Sequence, residues 1–241
     1  KAVEDEAFQN GYRMLLCSSG NNAEKEMQNI QMLVQMKADG VIIMTDSADT
    51  GKVLKACQVP VVLVDRTLQN VNEKAVVKSD HYKGGYLAAE HLVKCGCKNI
   101  ACMKEPTGYS SGRRRYEGYL DVCKKYNLKE QSVDCRYNYE SGLRAAEEIL
   151  KKYPEVDGVV AGNDIVAMSV YKVFTRHGKK IPQEVQLVGF DDVGFGELFI
   201  PELTTIHQPI KEMGHLAAEI ILKAVNGEPY EKKNVFDVNF L

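Results

Sequence analysis

Two apolar segments of the sequence end on charged side chains. "VPVVLVDRT" runs into Asp65 and Arg66, and "VQLVGFDD" runs into Asp191 and Asp192. Carboxylates accept hydrogen bonds from hydroxyl groups and a guanidinium donates several, so this combination suits the binding of a polyhydroxy ligand. Each feature also has a plainer explanation, because an adjacent Asp and Arg can form a local ion pair and Asp192 can be a turn residue.

The segment "GYSSG" fits the G-x-S-x-G pattern of a hydrolase nucleophile elbow, with Ser110 as the nucleophile. Asp191 and His207 follow Ser110 in the chain order of that enzyme class. An elbow requires the strand to enter the sharp turn directly, whereas residues 105–107 separate "IACMK" from this segment. An acyl hydrolase is therefore a distant alternative.

Three residues carry groups that bind metals: His91, Cys95 and Cys97. His91 and Cys95 share a helical face, but no second pair of ligands accompanies them. Buried thiols and a histidine that caps a helix end are therefore the preferred interpretation. The chain also lacks a GxxxxGK[ST] loop and a strand-linked GxGxxG motif. We predict neither a metal nor a cofactor.

The composition limits the classes of partner. The 241 residues carry a formal net charge of −2, which argues against a polyanion-binding surface on this segment. Seven cysteines scattered through apolar stretches indicate reduced thiols and favour the cytoplasm. No apolar run approaches the ~20 residues that span a bilayer, so no membrane contact is predicted.

Strand-like apolar runs alternate with helical patterns along the whole chain. The first are a strand in "GYRMLLCSS" and a helix with Met27, Ile30 and Val34 on one side. Val-, Ile- and Leu-rich strands between helices predict parallel sheets covered on both faces. Ligands of such sheets bind beyond the carboxyl ends of the strands, where Asp65 and Asp191 fall.

Several longer segments resemble the effector-binding region of the LacI/GalR family of bacterial transcription regulators. They are "VPVVLVDR", "SDHYKGGYLAAEHLVKCGCKNIA", "RRRYEGYL", "VVAGNDIVAMSVYKVFTRHGKKIPQEVQLVGFDD" and "IPELTTIHQPIKEMGHLAAEIILKAVNGE". The resemblance covers nearly the whole chain. It implies an α/β fold of the type I periplasmic-binding-protein kind, with two doubly wound parallel-sheet lobes, three crossovers and the ligand between the lobes.

The resemblance also implies where the chain passes from lobe to lobe. The crossovers are expected near Ile100–Lys104, Thr205–Pro209 and Lys232–Val235. Residues 1–102 and 208–233 then form an amino-terminal lobe, and residues 103–207 and 234–241 form a carboxyl-terminal lobe. The chain starts in a helical pattern, "KAVEDEAFQNGYR". We therefore expect that the first strand of the first lobe, preceded by a helix-turn-helix, is encoded upstream.

The family's sugar site carries over by position. Asp65 and Arg66 match the acid and base of the first lobe, Arg115 matches the arginine of an R-x-x-G segment, and Tyr137 matches an aromatic ring that covers the ligand. The predicted ligand-binding residues are Asp65, Arg66, Arg115, Tyr137, Asn163, Asp191 and Gln208. Asp80 is a weaker addition, and either Asn163 or Asp164 is alternatively a helix N-cap.

The resemblance is strongest to ribose-binding members, and two Asp with two Arg leave the pocket nearly neutral. The resemblance implies a sensor of a small neutral sugar, such as the pentose ribose, in a transcription regulator, and therefore a protein that is not an enzyme. Sugar-driven lobe closure would control operator DNA binding by a homodimer, through the helix-turn-helix that is absent from this chain. The alternative is a transport-associated sugar-binding protein with the same fold.

Overall fold

The computed structural model describes residues 1–68, 73–106, 109–194, 196 and 200–241. The chain divides into two compact units, each with its own predominantly parallel sheet and helices, as the family resemblance implies. Unit 1 comprises Lys1–Ser79 and Pro209–Phe236, and unit 2 comprises Asp80–Gln208 and Asp237–Leu241. In the part of the chain that is described, no helix is both long and apolar enough to cross a membrane.

Unit 1 is a parallel sheet with helices on both faces. Its helices are α1 (Ala2–Gln9), α2 (Ala23–Gln35), α3 (Ala48–Ala56) and α8 (Ile210–Val225), and its strands are β1 (Val41–Ile43), β2 (Val61–Val64), β3 (Ala75–Ser79) and β9 (Lys233–Phe236). The strand order is β1, β2, β3, β9. Val61 and Leu63 pack with Leu54 of α3, whereas Val62 packs with Ala217 of α8. Burial on both faces is why this strand is apolar throughout.

Unit 2 repeats this plan with more strands. Its helices are α4 (His81–Lys94), α5 (Ser110–Lys125), α6 (Tyr139–Lys152) and α7 (Asp164–Arg176), and its strands are β4 (Ile100–Lys104), β5 (Gln131–Asp134), β6 (Gly158–Val160), β7 (Gln186–Asp191), β8 (Thr205–His207) and β10 (Asn239–Phe240). The order is β10, β8, β7, β6, β4, β5, and β10 runs antiparallel to β8. Met103 of β4 packs with Ile149 of α6, whereas Cys102 packs with Leu92 of α4.

Helices α4 and α5 approach each other closely at two glycines. A Cβ atom on Gly85 would lie 2.0 Å from the carbonyl oxygen of Arg115, and one on Gly118 would lie 2.3 Å from that of Tyr82. Any larger residue at either position would push the two backbones apart. This contact determines where α5 holds Arg115.

Two local predictions were wrong, and one strand was not predicted. The segment "GYRMLLCSS" forms no strand, because a strand needs a hydrogen-bonded neighbour and the described sheet of unit 1 ends at β1. Leu16 in this segment is 83% exposed. On α2, Ile30 is buried but Val34 is exposed. Strand β3, with the sequence "AVVKS", was not predicted. In the structure its residues alternate between buried and half-buried, as expected for a strand.

The units divide the chain at different residues from the predicted lobes. Residues 80–102, which the sequence assigned to the first lobe, belong to unit 2. The reason is that β4 pairs with β5 and β6, while α4 packs against α5. The first crossover is therefore at Ser79–Asp80. The other two divisions lie between Gln208 and Pro209 and between Phe236 and Asp237.

Candidate ligand-binding site

Arg115 lies at the centre of a polar cluster in unit 2, and its side chain is largely buried. Its Nη1 donates to the carbonyl oxygen of Gly162 at 2.6 Å, and its Nη2 donates to Oδ1 of Asp191 at 3.5 Å. A guanidinium stays ionised, so its burial requires such acceptors. The two acceptors hold the fork of Arg115 in one orientation.

Two aromatic rings flank this guanidinium. Its central carbon lies 3.6 Å from the ring centre of Phe190 and 5.7 Å from that of Tyr137. A Cβ atom on Gly162 would come within 2.0 Å of the Tyr137 ring, so only glycine fits beneath it. Burial raises the pKa of Tyr137, against the lowering effect of Arg115, and the hydroxyl group stays protonated at neutral pH. Cation–π contact stabilises a desolvated arginine at this place.

Asp191 is the last residue of β7, and its carboxylate bonds to both Arg115 and Gln208, the residue after β8. Its Oδ1 accepts a hydrogen bond from Nε2 of Gln208 at 2.6 Å. Gln208 is buried, and its Oε1 has no hydrogen-bond partner among the described residues. The backbone of Asp191 has a φ of +103°, which costs a non-glycine residue about 1–3 kcal/mol. Such strain at a strand end is typical of functional positions.

Asn163 and Asp164 organise the end of β6 and the start of α7. Asn163 caps the helix, because its Oδ1 accepts the Val166 N–H at 2.9 Å, and its Nδ2 donates to the carbonyl oxygen of Tyr137 at 3.4 Å. Asp164 is buried and accepts the Thr205 hydroxyl at 2.6 Å and the Val193 N–H at 2.8 Å. Burial raises the pKa of Asp164. This carboxyl group therefore holds Val193, two residues beyond Asp191, and Thr205 at the start of β8.

In unit 1, Asp65 and Arg66 follow β2, and Asp65 has a φ of +65°. Nε of Arg66 lies 3.4 Å from Oδ2 of Asp46 and 3.9 Å from Oδ2 of Asp65. Asp46 itself follows β1. Asp65 and Arg66 thus form a three-residue charged group with Asp46, beyond the ends of the neighbouring strands β1 and β2.

The predicted site residues fall into two sets. Unit 2 contains five of them, and Asp65 and Arg66 belong to unit 1. In unit 2, direct hydrogen bonds link Arg115, Asp191 and Gln208, while Tyr137 and Asn163 lie beside them through the contacts described above. Asp80 caps α4, since its Oδ1 accepts the Lys83 N–H at 3.0 Å.

Three further residues contact the arginines of these sets and were not predicted from the sequence: Asp46, His81 and Phe190. His81 is buried, and its Nδ1 lies 3.4 Å from Nε of Arg115. Phe190 precedes Asp191 and points to the opposite face of the strand, where α4 and α5 pack. That alternation was a usable signal for Phe190. Asp46 and His81 carry no local signal, because their roles depend on residues distant in the chain.

The hydrolase alternative loses its proposed triad. Nδ1 of His207 lies 2.8 Å from Oδ2 of Asp192, whereas Asp191 contacts Gln208 and Arg115. Ser110 begins α5, and Gly108 of the elbow pattern lies outside the described residues. The histidine is therefore paired with a different acid from the one that the hydrolase order requires.

The metal alternative receives no additional ligands. Sγ of Cys95 lies 3.5 Å from Nε2 of His91, and Cys97 is buried with its thiol directed at the carbonyl oxygen of Asp157. Across the described ranges, no group of three or more His, Cys, Asp or Glu side chains could hold a metal ion. All seven cysteines are free.

Fold and site together define a class: an α/β protein of the periplasmic-binding-protein type, with charged and polar side chains at the carboxyl ends of its strands. The family model described as periplasmic binding proteins and sugar binding domain of the LacI family matches residues 1–236. The chain belongs to the LacI family of transcriptional regulators and is an effector-binding domain of that family.

Curated relatives agree with this assignment. The ribose operon repressor of Halalkalibacterium halodurans is 34% identical over 232 residues, which are 96% of this chain and 69% of the relative. The ribose operon repressor of Bacillus subtilis is 31% identical over 95% of this chain and 69% of its own. The transcriptional repressor PurR of Photorhabdus laumondii is 28% identical over 93% of this chain and 68% of its own.

Solved structures share the fold. A LacI-family regulator from Enterococcus faecium with bound ribose has a TM-score of 0.88 at 25% identity, covering 100% of this chain and 89% of its own. A periplasmic binding protein/LacI regulator from Alkaliphilus metalliredigens complexed with D-xylulofuranose has a TM-score of 0.87 at 28% identity, covering 100% and 90%.

Proposed function

We propose that this domain senses a small neutral sugar, with a pentose such as ribose as the preferred effector. The observation that carries the proposal is the group formed by Arg115, Asp191 and Gln208 under the ring of Tyr137. It offers charged donors and acceptors for hydroxyl groups beside an aromatic face for the C–H side of a sugar.

Charge balance argues for a neutral effector. Arg115 already faces the carboxylate of Asp191, so a phosphate group would have to compete with that carboxylate for the guanidinium. Gln208 adds a buried amide oxygen that lacks a partner among the described residues, and a hydroxyl donor would satisfy it. The names of the two ribose operon repressors and the ribose-bound regulator favour a pentose over a larger sugar.

We extend the proposal to Asp65 and Arg66, which we expect to contact the same effector. Their support is chemical, because they supply a second acid and a second base at strand ends, next to Asp46.

We also propose that the effector is bound without covalent change. The pairing of His207 with Asp192 supports this part of the proposal, since it leaves no acid–histidine relay on Asp191.

As in other regulators, the effector would shift a population between states of different operator affinity. We propose that operator DNA is bound through a segment outside this chain, in the cytoplasm, and by a homodimer. A two-fold operator presents two half-sites, and a closed dimer presents two matching DNA-binding heads.

A thermal-shift screen tests the effector class. The panel contains D-ribose, other pentoses, hexoses, their phosphates and purines, because a ligand that binds the native state raises the melting temperature by mass action. We expect the largest shift with D-ribose or another neutral pentose. A shift confined to phosphorylated sugars or purines would refute the proposed ligand class.

Light scattering of the intact regulator tests the homodimer. We expect twice the monomer mass at micromolar concentration. A monomer under those conditions would contradict the proposal.

A further inference from the structure

Unit 1 contains a closed ring of hydrogen bonds beside Asp46. Oε1 of Glu26 accepts the hydroxyl of Thr45 at 2.6 Å and the hydroxyl of Thr50 at 2.5 Å. The Thr45 hydroxyl oxygen accepts the Ser47 N–H at 3.0 Å, and the Ser47 hydroxyl oxygen accepts the Thr50 N–H at 3.2 Å. We call these four residues the Glu26 ring.

The ring lies in the interior of the unit. Thr45 is 2% exposed and Thr50 is 0% exposed, so neither hydroxyl can turn to water when its acceptor is lost. A buried hydroxyl that loses its acceptor destabilises the fold, because water cannot replace the lost hydrogen bond. Glu26 lies in the first turn of α2, where the helix dipole favours a carboxylate. Both threonines therefore depend on one carboxylate oxygen of a different helix.

The ring determines the course of the chain between β1 and α3. Thr45 and Ser47 are ring members, and Asp46 stands between them. With both neighbours held, the backbone of Asp46 has little freedom, and its Oδ2 lies 3.4 Å from Nε of Arg66. Glu26 is thus connected to Arg66 through Asp46.

We infer that Glu26 is a positioning residue for effector recognition. It holds the Thr45–Thr50 connection so that Asp46 orients the guanidinium of Arg66 toward the effector. The inference rests on the proposed role of Arg66 in effector binding. It adds a residue on α2 that bonds to Thr45 and Thr50 and acts on Arg66 through Asp46.

The plainer possibility is that the ring only joins α2 to α3. That role predicts a loss of stability and no change in the environment of Arg66. The side-chain Nε–H signal of Arg66 in ¹H–¹⁵N spectra distinguishes the two roles without any ligand, and it is assigned by its disappearance in Arg66→Lys.

Two substitutions of Glu26 differ in one property. Glu26→Gln keeps an oxygen that can accept both threonine hydroxyls, whereas Glu26→Met keeps the length and removes the acceptor. Glu24→Met is the control, since it removes an exposed carboxylate from the same helical turn. We expect Glu26→Met to shift or broaden the Arg66 signal and to weaken D-ribose binding about 3- to 10-fold in calorimetry. Glu26→Gln and Glu24→Met should resemble the unmodified protein.

Each other outcome has a defined meaning. An unchanged Arg66 signal in Glu26→Met overturns the inference, whatever happens to stability. Equal losses in Glu26→Gln and Glu26→Met overturn the role of the acceptor oxygen. A moved signal with unchanged D-ribose affinity removes the link to recognition. If the unmodified protein fails to bind D-ribose, the proposed effector is wrong, and the Arg66 signal still decides the role of the ring.

Discussion

The acid–base pair of unit 1 and that of unit 2 are built in different ways. Both acids lie at the carboxyl end of an apolar strand, and both have a positive φ, +65° at Asp65 and +103° at Asp191. In unit 1 the base is the next residue, Arg66. In unit 2 the base is Arg115, which comes from a helix 76 positions earlier in the chain.

The two arginines differ in the number of carboxylates that lie beside them. Among the residues that the structure describes, the carboxylates of both Asp46 and Asp65 lie within 4 Å of Arg66. Among the described residues, the only carboxylate that pairs with Arg115 is that of Asp191, which also binds Gln208. The pair in unit 2 is therefore more sensitive to the loss of its acid than the pair in unit 1.

Asp191→Ala should have the largest effect. It removes an acceptor for the effector and leaves a buried arginine and amide without their carboxylate, so we expect D-ribose binding to weaken by about 2–4 kcal/mol. Isothermal calorimetry measures this loss. Asp134→Ala is the matched control, because Asp134 is an exposed acid at the end of β5 in the same sheet. Equal affinity in Asp191→Ala and the control would refute the site in unit 2.

Asp65→Ala should weaken the same binding by about 2 kcal/mol, less than Asp191→Ala. The reason is that Asp46 still pairs with Arg66. Adding Asp46→Asn should bring the loss to the level of Asp191→Ala, as for neighbours that share a partner. A larger loss in Asp65→Ala than in Asp191→Ala would reverse the comparison.

Tyr137→Ala should cost about 1–2 kcal/mol of effector affinity, through the loss of the aromatic face. Tyr137→Phe keeps the ring and should lose less than half of this amount. If both variants lose the same affinity, the hydroxyl group rather than the face makes the contact, and calorimetry on the two proteins separates these cases.

Glu90→Gln should destabilise unit 2 without changing effector binding. Glu90 accepts from Lys125 and Lys94 at 2.8 Å, and these bonds, led by that of Lys125, lower its pKa from 4.5 to about 2. A lowered pKa contributes stability above pH 4.5 that is lost as the pH falls toward 2. We expect a loss of about 1 kcal/mol at pH 7, or about 2–4 °C in melting temperature, that shrinks below pH 4.5. A pH-independent difference in calorimetric melting would contradict this assignment.

The smallest expected effect is the stability difference between glycine and alanine at position 65 or 191. Comparing the two variants distinguishes the contribution of the backbone conformation from that of the carboxylate. Both positions have positive φ, which glycine adopts without strain. The free energy of unfolding should therefore be about 0.5–1 kcal/mol higher in the Asp→Gly variant than in the Asp→Ala variant at the same position. Effector affinity should be equally low in both variants, since neither has the carboxylate. Denaturant melts of the four proteins measure the difference. Glycine variants that are no more stable than the alanine variants would show that these backbones are unstrained.

The parts of the fold that were predictable have local causes. An apolar strand such as Val61–Val64 is apolar because both its faces are buried, and that pattern is visible in the sequence. The segment 12–18 has the same pattern but no described strand beside it, so pattern alone predicted too much. The first division of the chain was misplaced because α4 joins unit 2 through its packing on α5, which no local pattern records.

The sequence by itself determined the acids at the strand ends, since apolar runs that stop at Asp65 and Asp191 mark the carboxyl ends of parallel strands. Its segments also determined the family resemblance that named the seven candidate residues. Only the tertiary structure decided that Arg115 pairs with Asp191, that Asp46 pairs with Arg66, and that Asp80 caps a helix. The physical reason is that a hydrogen bond depends on distance in space. Arg115 reaches Asp191 because two glycines let α5 pack backbone to backbone against α4.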